Sequence, residues 1–209
     1  MDLDSIRDSI RHELDAKSRA REQGLPLCRG VIRLASNAIR AIHRGEKHEA
    51  ETLMEEAEAQ LRTASSAMTP HPDIRYAGFY HDAAKEYAEA RLTHALVFDL
   101  PFPTPEEIGV EPQAYLNGMG EAVGEMRRHL LDLMRHGELQ RSEELLSAMD
   151  EIYYVLISMD YPDAMTGGLR RTTDVARSII ERTRGDLSTT IIQDKLRNAL
   201  EGVHEDLTD

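Results

Sequence analysis

Apolar residues recur along this chain every three to four positions almost without a break, and the breaks are clusters of Pro and Gly. That periodicity predicts helices throughout. The first runs from about Leu3 through Gln23, with Gly24-Leu-Pro26 read as a kink, and a second helical stretch continues to Arg44 and stops at Gly45. Another spans about Lys47 to Ser66, ahead of Pro70-His-Pro72, and the next runs from about Tyr76 to Asp99. After the loop Pro101-Phe-Pro-Thr-Pro105, Thr104-Pro-Glu-Glu107 has the form of a capping box with Pro in the first turn, which starts a short helix. Helices from Pro112 to about His136, Glu138 to about Met159, Ala164 to Arg184 and Ser188 to Val203 complete the pattern. There are few β-branched runs and no Asn-Gly hairpin, and the connections are short. The expected fold class is therefore all-α, a bundle of antiparallel helices forming a single domain over residues 1–209.

The pattern also ranks the helices. On the Tyr76–Asp99 helix, Phe79, Ala83, Ala84, Tyr87, Ala88, Ala90, Leu92, Ala95, Leu96 and Val97 are spread nearly all round, as expected of a buried helix. Among them stand Glu86 and Glu89. On the Pro112–His136 helix, Leu116, Met119, Val123, Met126 and Leu130 mark one side, and Glu121 and Glu125 lie opposite. Residues three or four apart share a helix face, so each pair can aim two carboxylates at one point. Buried carboxylates are paired, protonated or bound to metal. Four of them suit a hard cation, Mg²⁺ or Mn²⁺, which can activate water and neutralise charge at a phosphodiester or pyrophosphate. Spacing alone does not distinguish such a site from two solvated helix faces.

Composition changes the picture in three places. The core has no Trp and little Phe, so it rests on Leu, Ile, Ala, Met and Val, and the single Cys28 excludes an internal disulfide and reads as a small buried residue. The opening Met-Asp-Leu-Asp-Ser-Ile-Arg has no signal-peptide character, and no apolar stretch approaches the roughly 18 residues of a membrane span. The expected setting is the cytoplasm, with no membrane partner. The net charge of −13 argues against nucleic acid, yet 21 of the 25 basic residues are Arg, the better fork for phosphate oxygens.

Placement of those arginines matters more than their sum. Arg29, Arg33, Arg40 and Arg44 fall within about 60° on one helix, opposite Val31, Leu34, Ala35, Ala38, Ile39 and Ile42. This all-cationic face reads either as a solvated stripe pairing with the abundant acids or as a phosphate-binding surface. Arg170 and Arg171, with Arg177, Arg182 and Arg184, form a second cluster in which Asp174 and Glu181 invite internal ion pairs. His43, at a helix end, reads as a partner of the terminal carbonyls.

Two other architectures compete for the carboxylates. A ferritin-like di-iron bundle needs two Glu-x-x-His motifs, and only Glu201-Gly-Val-His204 fits, so it is rejected. All-α nucleotide pyrophosphohydrolases use Glu-x-x-Glu followed by Glu-x-x-Asp, which the four-residue spacing of Glu121 and Glu125 does not match.

Beyond these readings, Glu86-Tyr-Ala-Glu-Ala90 resembles the Glu-Tyr-Val-Glu-Ala motif of translin-associated factor X. Tyr115-Leu-Asn-Gly-Met-Gly-Glu-Ala-Val-Gly-Glu-Met-Arg-Arg128 resembles the Tyr-Leu-x-Gly segment of that family with its following acid and Gly-Glu-Leu, and Ile108-Gly-Val-Glu-Pro112 is similar to a translin segment. The resemblance implies about seven helices assembled into a closed homo-oligomer, typically an octamer, that binds RNA or single-stranded DNA. It implies Mg²⁺-dependent endoribonuclease activity on Glu86, Glu89, Glu121 and Glu125 if the chain is of the factor X type. Non-catalytic binding is implied if it is of the translin type. Glu121 departs from the pattern, which has Asp there in the animal proteins. Arg29, Arg33, Arg40, Arg44, Arg170 and Arg171 are the candidate nucleic-acid contacts.

Overall fold

The computed structural model describes residues 2–206, with side chains for residues 2–201, so the histidine of Glu201-Gly-Val-His204 lies outside the described side chains. Among the described residues every regular element is helical. Six helices are long: α1 (Leu3–His43), α2 (Lys47–Met68), α4 (Phe79–Val97), α6 (Pro112–Arg135), α7 (Leu139–Ser158) and α9 (Leu169–Asp206). Three are single turns: α3 (Pro72–Arg75), α5 (Pro105–Ile108) and α8 (Asp163–Thr166). The chain divides after Gly118 into two compact units, and α6 continues through that point without interruption.

In the first unit α1, α2 and α4 pack on one another. The buried positions of α2 are Ala50, Met54, Ala57, Leu61, Ala64 and Met68, a four-three alternation that forms a coiled-coil type of seam. Against it α1 sets Ala20, Gly24, Cys28, Val31, Ala35, Ala38 and Ile42. Small residues at every second seam position let the backbones come close. Gly24 shows how close: a β-carbon there would stand 2.6 Å from Met68 Sδ. The Gly24-Leu-Pro26 segment therefore ends nothing. Pro26 removes one helix hydrogen bond, at a cost of about 3 kcal/mol, but burial of the stripe on both sides carries α1 through it. The turn at Arg44-Gly45 is real, with Gly45 at φ +76°.

The Thr104–Glu107 capping box forms as expected: Thr104 Oγ1 accepts from the Glu107 N–H at 3.3 Å, and Glu107 Oε2 accepts from the Thr104 N–H at 2.8 Å.

The second unit packs α7 on α9. Leu145, Met149, Ile152 and Leu156 line α7, and Leu169, Ala176, Ile180, Thr183 and Leu187 line α9. Arg127 of α6 donates to Thr183 Oγ1 at 3.0 Å and to Asp186 at 2.8 Å, tying α6 to α9. The expected division of α9 around Gly185 does not occur. A mid-helix glycine costs about 1 kcal/mol, and a single well-buried Leu or Ile contributes about 1.5–3 kcal/mol. The buried stripe runs from Ile180 through Thr183 past Gly185 to Leu187, so it prevails.

Candidate metal centre

Helix α4 is buried on every side, as its pattern requires: Tyr80, Ala84, Tyr87, Ala88, Leu92 and Ala95 are all covered. Glu89 is 9% exposed and Glu86 is half-buried. The first turns of α6 are pinned beside α4 by three contacts. Arg75 stacks on the Tyr80 ring at 4.5 Å and donates to Glu111 at 2.8 Å, and the Tyr115 hydroxyl donates to the Pro103 carbonyl at 2.6 Å. Third, Gly118 rests on α4 itself: a β-carbon there would meet Lys85 O at 2.7 Å, Ala88 Cβ at 2.9 Å and Glu89 N at 2.9 Å. This close approach is why the segment is Tyr-Leu-Asn-Gly and not Tyr-Leu-Asn-Ala.

Glu121 follows Gly118 by about one turn on the continuing helix. One carboxylate oxygen from each of Glu86, Glu89 and Glu121 lies within 4.8 Å of the others. Oxygens bonded at 2.0–2.6 Å across a hard cation are about 4–5 Å apart, so the trio spans the size of one ion. The donors are all carboxylate oxygens, which fits Mg²⁺ or Mn²⁺ better than a soft metal. Lys85 Nζ, 3.6 Å from Glu86 Oε1, offsets part of the negative charge. Glu125, half-buried one turn beyond Glu121, lies outside the trio. Beside these acids, burial pushes the Tyr87 phenol up to about 12, and its oxygen accepts from Arg91 at 2.6 Å. Tyr87 is thus a neutral, fixed wall of the helix.

The arginine stripe of α1 divides in two. Arg44 pairs with Glu46 and Glu49, and Arg40 donates to Asn37. Arg29 and Arg33 are exposed, with no acidic partner among the described residues. In α9, Arg184 is held by both oxygens of Asp150, at 2.7 and 2.9 Å. No ion pair joins Arg170, Arg171, Arg177 or Arg182 to Asp174 or Glu181 among the described residues. Arg170 and Arg171 sit in the first turn of α9, where the helix dipole disfavours cations, so helix stability does not account for them. Arg170 and Arg177 line an open cleft with Tyr153 and Tyr161, aromatics that the sequence reading passed over. Tyr153, with Tyr161 shortly before the basic start of α9, was the available signal. Cys28 is buried and desolvation raises its thiol to about 11, which leaves it a packing residue. His43 lies in the last turn of α1.

An all-α chain with a carboxylate trio defines a class, and comparison with known proteins narrows it. No protein-family model matches the chain. An uncharacterized protein of Methanocaldococcus jannaschii is 30% identical over 189 residues, covering 90% of this chain and 83% of the relative. The Archaeoglobus protein C3PO, solved alone and in complex with duplex RNA, is 33% identical over 92% of this chain and 98% of its own, with TM-scores of 0.79 and 0.80. The Neurospora C3PO shares the fold at a TM-score of 0.73 and 19% identity. The chain belongs to the translin family. No helix among the described residues is long and apolar enough to cross a membrane.

Proposed function

We propose that this protein binds RNA and cleaves its phosphodiester backbone as a Mg²⁺- or Mn²⁺-dependent endoribonuclease, acting as a homo-oligomer of the octameric kind. The observation that carries the reading is the convergence of Glu86, Glu89 and Glu121 oxygens within 4.8 Å. Glu86, Glu89 and Glu121 would hold the ion, and Glu125 supports the rim of the site. When bound, the ion supplies charge neutralisation at the phosphate and a water of lowered pKa. The chain's own part is to hold the carboxylates in place: Gly118 sets the approach of α6 to α4, and Lys85 lies beside Glu86. The duplex RNA held by the Archaeoglobus relative supports RNA as the ligand; single-stranded DNA is a second candidate.

The test is cleavage of a short labelled RNA with Mg²⁺ or Mn²⁺, for the wild type and for Glu86→Ala and Glu89→Ala. Cleavage that survives both substitutions, or that survives EDTA, would remove the site assignment. A second reading, binding without cleavage, is favoured by the unpaired Arg29 and Arg33 and predicts salt-sensitive RNA affinity with no metal-dependent products. Pyrophosphate release from free nucleoside triphosphates, with little affinity for RNA, would instead favour the pyrophosphohydrolase alternative.

A further inference from the structure

Within the first unit, α2 and α4 border a cleft of about 420 Å³ whose lining includes none of the carboxylate trio. Its polar lining comes from Glu51, Glu55 and Glu58 of α2 and from Arg91 and His94 of α4. His94 is 7% exposed, and its Nε2 is buried without a hydrogen bond. The nearest acid, Glu51 Oε1, stands 3.6 Å away, beyond hydrogen-bond length. A buried imidazole nitrogen beside a carboxylate, too far from it to make the bond, leaves room for a third party.

We propose that this cleft binds a transition-metal dication through His94 Nε2 and Glu51, with Glu55 as the third ligand. Ligands bonded at about 2.0–2.2 Å to one tetrahedral zinc lie roughly 3.3–3.5 Å apart, so the 3.6 Å gap closes with a small movement. Glu55 is exposed, one turn from Glu51 on the same face, with no described partner, and its carboxylate swings to the ion. Burial lowers the proton affinity of His94, with Glu51 opposing and Lys47 and Arg91 reinforcing, so the nitrogen lone pair is available. Arg91 does not compete for the centre, being engaged by the Tyr87 hydroxyl at 2.6 Å and lying 3.9 Å from Glu58. An imidazole-carboxylate set suits Zn²⁺ or Mn²⁺ and is poor for Mg²⁺, which distinguishes it from the all-carboxylate trio.

The experiment titrates Zn²⁺ into the whole protein against a chromophoric chelator. It compares wild type, Glu51→Gln, His94→Gln and the double variant Glu86→Gln/Glu89→Gln. The double variant should keep one site of wild-type affinity, Glu51→Gln should weaken that site at least about tenfold, and His94→Gln should remove it. Zinc-edge X-ray absorption of the loaded double variant should show imidazole scattering. Glu51 is partly exposed, so its variant tests the site without disturbing the core. Zn²⁺ affinity unchanged by both Glu51→Gln and His94→Gln, binding lost only with Glu86 and Glu89, or no imidazole signature would each overturn the proposal.

Discussion

Helices α4 and α6 each carry two glutamates one turn apart, but the surroundings of the two pairs differ. On α4, buried residues occupy every face, so Glu89 is buried and Glu86 half-buried beside it. On α6, one side is apolar (Met119, Val123, Met126 and Leu130), and the glutamates stand on the other, half-buried. Only Glu121 joins the α4 pair within 4.8 Å. Pairs spaced three apart on α4 and four apart on α6 thus place both α4 carboxylates and one α6 carboxylate in the trio. The surface that the rest of the helix must bury decides the role of each acid, and spacing only permits it.

The sharpest test of that asymmetry is catalytic. Glu86→Ala, Glu89→Ala and Glu121→Ala should each lower metal-dependent RNA cleavage at least about 100-fold, equivalent to about 2.7 kcal/mol of transition-state stabilisation. Glu125→Ala should cost roughly tenfold, the scale of a supporting group. Equal losses at all four positions would make the centre a quartet and end the distinction between the helices.

The contact that holds the helices in register comes next. Gly118→Ala places a methyl 2.7 Å from Lys85 O. Overpacking against backbone costs about 1–3 kcal/mol, so thermal unfolding should shift down and metal affinity should weaken with it. A variant of unchanged Tm and unchanged metal affinity would show that α6 is positioned by other contacts. Gly24→Ala should lower Tm as well, through Met68, while leaving metal binding intact.

Nucleic-acid affinity should be divided along α1. Arg33→Glu should weaken RNA binding and reduce the slope of log affinity against log salt by roughly 0.7–0.9 for the lost phosphate contact. Arg44→Glu should do less, because Arg44 is already paired with Glu46 and Glu49. Equal effects at both positions would contradict a role for unpaired arginines.

The smallest effect concerns pH. Burial sets His94 below its ordinary value of 6.5 in the folded chain. The unfolded chain then binds the extra proton first, so this residue's contribution to stability is present above about pH 6.5 and is lost as pH falls through its folded value. His94→Gln should flatten the acid side of the stability profile; an unaltered profile would mean that other groups set it.

Much of this architecture was legible beforehand because helical periodicity and burial are the same fact seen twice. The apolar surround of α4, the Thr104 capping box and the turn at Gly45 appear as read. The division expected around Gly185 is the misreading. Gly185 is a local breaker, and the chain overrode it with the buried stripe from Ile180 through Leu187 on α9, as the stripe from Ala20 through Ile42 carries α1 past Gly24 and Pro26. The trio was legible as two pairs but not as a three-member group, since which α6 acid converges depends on the approach set by Gly118. The Glu51–His94 cleft left no trace, because its residues lie 43 positions apart with no motif.

The alanine-rich seam between α1 and α2 has a thermodynamic consequence. Alanine surrenders no rotamer entropy on folding and exposes little apolar surface on unfolding. A unit stitched by Ala35, Ala38, Ala50, Ala57 and Ala64 should therefore unfold with a heat-capacity increment below the usual 12–15 cal/mol/K per residue, which is roughly the average for globular domains. Its curve of stability against temperature is then broad and shallow, and calorimetry should find it losing little stability on cooling.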